Sequence, residues 1–177
     1  MKNNYKNLSW LMRLFSLTIM LAFIAPVITN AQTGKANFAG NWTFNATKST
    51  QPQGGGGGQR MGGGDVVVAQ EANLLTVTRT RTGQDGQPTT TILKYTLDGK
   101  ESINTSPRGD SKSVAKWSAD GKTLTIASSR TMDINGETRT INSSEAWVLT
   151  DAKILTVTST RQGQDGEVKT TLVYDKK

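Results

Sequence analysis

Three segments alternate Leu, Val, Ile or Arg with Thr, Ser or Ala at a period of two: Leu75 to Arg81, Thr123 to Arg130 and Leu155 to Arg161. That period sends successive side chains to opposite faces of a strand. Beyond residue 31 no long stretch carries a helical period, and turn-forming pairs recur at Asp85-Gly86, Asp98-Gly99, Gly109-Asp110, Asp120-Gly121, Asn135-Gly136 and Asp165-Gly166. Strands are predicted at roughly 37–45, 65–72, 74–82, 87–97, 100–105, 111–118, 122–130, 138–149, 153–162 and 167–175. The expected fold is all-β, an antiparallel up-and-down meander closed into a barrel of about 8–10 strands.

An internal repeat accompanies the pattern. Leu75-Thr76-Val77-Thr78-Arg79-Thr80-Arg81 with Gly83-Gln84-Asp85-Gly86 recurs as Leu155-Thr156-Val157-Thr158-Ser159-Thr160-Arg161 with Gly163-Gln164-Asp165-Gly166. A looser copy begins at Leu124 and ends at Arg130. Parity groups Leu75, Val77, Arg79 and Arg81 on one face, and likewise Leu124, Ile126, Ser128 and Arg130, and Leu155, Val157, Ser159 and Arg161. The opposite faces are rich in Thr, which suits water, so the Leu/Val face is the inner one. Arg81, Arg130 and Arg161 then point inward near three hairpin tips, at the end that also carries the longer connections. They form either an anion-binding ring or a set of side chains reaching solvent at the rim. Glu145 shares a face with Trp147 and Leu149, and an inward carboxylate needs a cation such as one of these arginines.

Composition removes whole classes of chemistry. The 177 residues include no Cys and no His, which excludes thiolate or imidazole catalysis, disulfides and ordinary zinc or copper sites. No metal and no cofactor are expected. Lys2, Lys6 and Arg13, the apolar run Leu14 to Ile28 and the ending Thr29-Asn30-Ala31 read as a signal peptide over residues 1–31, cleaved after Ala31. The run is short for a membrane span. Removing its three cations lowers the net charge from +7 to +4. No basic tract remains of the kind that binds nucleic acid. Residues 32–177 are expected to form one exported domain, periplasmic or secreted, without a membrane span and monomeric. The glycine-dense connection 53–64 lacks the Gly-Lys-Ser/Thr of a phosphate-binding loop and reads as a flexible link or a lid over the mouth.

Phe38-Ala39-Gly40-Asn41-Trp42, with Phe44 two residues on, resembles the F-x-G-x-W opening of lipocalins. The arrangement from Phe38 to Lys177 is similar to small exported lipocalin-like domains of bacteria. The resemblance implies a barrel whose base is plugged by Trp42, with Phe38 and Gly40 of the same opening as structural residues; Trp117, an aromatic at a strand position, reads as structural packing. Lipocalins place an Arg late in the last strand against that Trp, and here only Lys176 and Lys177 lie there. Ten strands are closer to the fatty-acid-binding proteins, whose Arg-x-Tyr carboxylate clamp is absent near Tyr174.

Together these readings predict an exported small-molecule binding protein that holds an amphipathic or anionic ligand through Arg79, Arg81, Arg130, Arg161, Glu145 and Trp147. Two alternatives stay open. One is a filled barrel acting through its surface; the other is a carboxylate-dependent enzyme using Glu145, for which no catalytic residue set is identified.

Overall fold

The computed structural model describes residues 34–50, 64–82, 86–106, 109–134, 136–163 and 166–177. All belong to the unit Gln32–Lys177. The signal peptide read over residues 1–31, most of the glycine-dense connection and several of the hairpin tips lie outside the described residues.

Ten strands follow in chain order: β1 (Gly40–Thr50), β2 (Val66–Gln70), β3 (Leu74–Thr82), β4 (Pro88–Thr96), β5 (Glu101–Ser106), β6 (Gly109–Trp117), β7 (Thr123–Ile134), β8 (Glu137–Asp151), β9 (Ile154–Gly163) and β10 (Gly166–Lys176). They form one sheet in the order β4-β3-β2-β1-β10-β9-β8-β7-β6-β5, with every paired neighbour antiparallel. The sheet curls into a nearly closed barrel whose seam lies between β4 and β5. We call the end where β1 begins the base, and the end where β3, β7 and β9 finish the rim.

The alternation found in the sequence sets the two faces. Leu75, Val77, Leu124, Ile126, Leu155 and Val157 are almost wholly enclosed, at 0–1% exposure. Thr76, Thr78, Thr156 and Thr158 between them face outward. Burying a large aliphatic side chain stabilises the fold by about 1.5–3 kcal/mol, so a register slip of one residue, which would exchange the faces, is strongly disfavoured.

The lead-in before β1 is predicted as strand but closes the base instead. Ala36 N–H donates to the Gly121 carbonyl (2.8 Å), Phe38 N–H to Gln70 Oε1 (2.9 Å) and Gln70 Nε2 to the Ala36 carbonyl (3.0 Å). Gly121 sits at φ +69, and a Cβ there would overlap the Gly34 carbonyl, so only glycine admits this docking. Phe38 stacks on Trp117 at 5.7 Å between centroids and meets Trp147 edge-on at 5.9 Å. Trp42 Nε1 donates to the Phe38 carbonyl (2.9 Å), and Trp42 is 1% exposed. The Lys176 ammonium lies 5.4 Å from the centre of the Trp42 ring, where lipocalins place an Arg.

β1 runs to Thr50, five residues past its predicted end, through an irregularity after Asn45. Asn45 holds that step together: its Oδ1 accepts from the N–H groups of Thr47 (3.1 Å) and Lys48 (3.0 Å). The β7/β8 hairpin also exceeds expectation, since Thr131–Ile134 pair with Glu137–Thr140 beyond Arg130.

The seam is closed by side chains rather than by a backbone ladder. Asn104 behaves like a peptide unit: its Oδ1 accepts from Lys94 N–H (2.8 Å) and its Nδ2 donates to the Lys94 carbonyl (3.0 Å). Ser102 Oγ accepts from Thr96 N–H (2.8 Å). Edge groups of β4 that would otherwise be left without partners are thereby satisfied.

Candidate functional site

On six strands the inner face changes character at about the same height. From base to rim, Leu75 and Val77 give way to Arg79 and Arg81, Leu124 and Ile126 to Ser128 and Arg130, and Leu155 and Val157 to Ser159 and Arg161. On the strands that run the other way, Ser111 and Ser113 precede Ala115, Ser143 and Glu145 precede Trp147, and Thr170 precedes Leu172. Cross-strand pairing confirms that these belong to one face, with Ser113 opposite Ser128, Ser128 opposite Ser143, and Ser159 opposite both Glu145 and Thr170.

At the boundary an ion pair crosses the lumen. β3 and β8 are five places apart in the ten-strand order, on facing walls. Arg79 Nη2 reaches both Glu145 oxygens, at 3.1 and 3.3 Å, with side-chain exposures of 13% and 21%. Trp147 Nε1 donates to Glu145 Oε2 (3.0 Å), and the Arg79 guanidinium lies 5.9 Å from the centre of the Trp147 ring. Burial disfavours the charge on Arg79, but Glu145 together with Tyr174 and Tyr95 outweighs it and holds the guanidinium above its ordinary pKa. Burial pushes the pKa of both tyrosines up, and the Glu145 charge adds to the effect.

The remaining arginines part company. Arg81 is half-buried, and burial first, then the neighbouring charge of Arg79, pushes its pKa down. Arg130 is partly buried beside Ser111 and Ile141, and its Nε is enclosed without a hydrogen-bond partner among the described residues. Arg161 is solvent-exposed. The strand lengths explain the difference: β7 continues four residues past Arg130, whereas β9 ends two past Arg161. Thus Arg79 and Arg81 stand together on β3 and Arg130 faces the lumen from β7, whereas Arg161 is exposed at the rim. Trp147, expected to contact ligand, is enclosed in the apolar packing and serves as the floor under Glu145. The inner serines were not singled out in the sequence, although the parity that placed the arginines also placed them.

Among the described residues no helix is long and apolar enough to cross a membrane, which says nothing of strands. No protein-family model and no curated protein sequence matches the chain. Among solved structures, the crystal structure of zebrafish ileal bile acid-binding protein complexed with cholic acid is similar. The likeness covers 79% of this chain and 98% of that one, with TM-score 0.55 and 17% sequence identity. It establishes the fold: a ten-stranded antiparallel barrel of the fatty-acid-binding-protein type, nearly closed.

Proposed function

We propose that the protein is exported and binds a small organic anion, amphipathic or polar, in the rim half of its barrel. A charge imbalance carries this reading: Arg79, Arg81 and Arg130 face the lumen, and among the described residues Glu145 of β8 is the carboxylate that meets them. Burying cations without counter-charge is costly, and an anion between Arg81 and Arg130 would relieve that cost. Two further points support it. A barrel of ten strands is wider than the eight-stranded kind that side chains just fill, and the similar zebrafish barrel is a bile acid-binding protein complexed with cholic acid. Export rests on the basic, apolar and small-residue start of the chain.

The reading is tested by calorimetric titration with cholate, dodecanoate and their uncharged alcohol counterparts. Carboxylates should bind in preference to alcohols. Arg130→Gln should weaken carboxylate binding by one to two decades, since a charge-assisted hydrogen bond contributes about 1.5–3 kcal/mol. Equal binding in that variant, or no binding of any carboxylate, would overturn the proposal. N-terminal sequencing of exported material should begin at Gln32.

A further inference from the structure

We infer that the anion is a compact polyhydroxylated carboxylate of sugar-acid size, and not a long-chain fatty acid; this rests on the anion-binding reading above. Two observations carry it, one of depth and one of lining. The Arg79–Glu145 pair spans the lumen, and the inner positions beneath it are filled: Leu75, Val77, Leu124 and Leu155 from three strands, with Phe38 and Trp147 closing from below, are all 0–1% exposed. An alkyl chain of fatty-acid length needs an apolar tunnel of matching depth, and here the apolar half of the barrel is occupied by the protein's own side chains.

The lining points the same way. Level with the pair the inner face carries the hydroxyls of Ser159 and Thr170, and above it those of Ser113, Ser128, Ser143 and Ser111, each able both to donate and to accept; Ser128 and Ser143 are half-buried and the other four are 2–9% exposed. Ser113 and Ser128 satisfy one another at 2.8 Å, and Ser128 and Ser143 are direct cross-strand partners, two residues from Arg130 along β7. An alkyl chain laid against them would desolvate hydroxyls and return no hydrogen bonds. A ligand that carries its own hydroxyls exchanges water for protein partners one for one, and sites built this way reject analogues lacking the hydroxyl. Arg81 and Arg130 fix the carboxylate, and the serine wall reads the ring beside it.

The probes are galacturonate, its neutral methyl galactoside and dodecanoate, titrated calorimetrically into the full chain and into two variants. One variant combines Ser113→Ala, Ser128→Ala and Ser143→Ala, removing both members of the hydroxyl pair so that neither is left unpartnered. The other is Ser143→Val alone. Galacturonate should bind at least tenfold tighter than dodecanoate and than methyl galactoside. The triple variant should lose about tenfold for galacturonate with no loss for dodecanoate, and Ser143→Val should narrow the preference in the same sense. Thermal melts of both variants establish that they remain folded. Dodecanoate binding as tightly as galacturonate, or a preference unmoved in both variants, overturns the sugar-acid assignment while leaving anion binding intact. Failure of galacturonate and dodecanoate to bind overturns this inference, and failure of cholate as well overturns the anion reading with it.

Discussion

The base and rim halves of the barrel are built by the same strands, with the same alternation, and differ in what the inward positions carry. In the base half these positions are Leu, Val, Ile and Trp in contact with one another; in the rim half they are mostly Ser, Thr and Arg, with Ile141 and Val168 among them. The difference shows that inward-facing and hydrophobic are separate properties. Parity fixes the direction of a side chain, while composition decides whether that direction serves stability or recognition.

This division can be tested most severely at Trp42. Trp42→Ala removes a side chain 1% exposed, together with the hydrogen bond to Phe38 and the contact with Lys176, and should destabilise by about 3–5 kcal/mol in urea unfolding. Ligand preference should be unchanged, because the proposed site lies in the other half.

Alkaline pH probes the boundary next. Tyr95 and Tyr174 have raised pKa values in the fold, so their contribution is fully present below the ordinary tyrosine value of 10.0 and declines as pH rises above it. Each unit of upward shift corresponds to about 1.4 kcal/mol. Ultraviolet titration should show both tyrosines ionising together with unfolding, and Tyr95→Phe should lessen the alkaline loss of stability.

The crossing pair gives an effect of about 3 kcal/mol. Glu145→Gln leaves the Arg79 charge enclosed without its counter-charge, at the lower end of the usual range because the Glu145 side chain is 21% exposed. Arg79→Met combined with Glu145→Leu should recover part of the loss in the same unfolding measurement, since an apolar pair of similar size is often no worse than a buried ion pair, while the buried Trp147 Nε1 loses its acceptor. A double variant as unstable as the single would mean that the pair itself organises the barrel.

At the seam, Asn104→Ala strands the Lys94 N–H and carbonyl and should cost about 1–3 kcal/mol. The smallest effect belongs to the rim. Arg130→Gln should leave unfolding within about 0.5 kcal/mol of the parent, or raise stability slightly by relieving repulsion. A large loss there would dissolve the distinction between the halves.

Much of this was legible in the sequence because it is periodic. The alternation in Leu75 to Arg81 and its copies gave the strands, the faces and the end at which the arginines lie, and Glu145 was expected to need an Arg partner. The partner's identity was not readable, because Arg79 meets Glu145 only once the sheet curls so that β3 faces β8. The contrast between Arg130 and Arg161 was likewise hidden: both stand six residues after a Leu, yet the length of strand beyond each decides its exposure. Asn104 gave no signal at all, since an Asn in a strand resembles any polar position until its neighbour across the seam is known. Lys176 appeared in the sequence as a departure from the lipocalin pattern, and in space it takes up the place above Trp42.

Closure by Asn104 has a consequence for how the protein behaves in a crowded compartment. β4 and β5 are the two margins of a single sheet, and sheet margins are templates on which other chains add strands. In most barrels the backbone itself removes that hazard; here an amide and a hydroxyl stand in for it over Lys94 and Thr96. A substitution at Asn104 therefore does more than weaken one molecule. It uncovers an adhesive border, and the fate of such a variant is decided by concentration, with strand exchange between copies and insoluble aggregate competing against refolding.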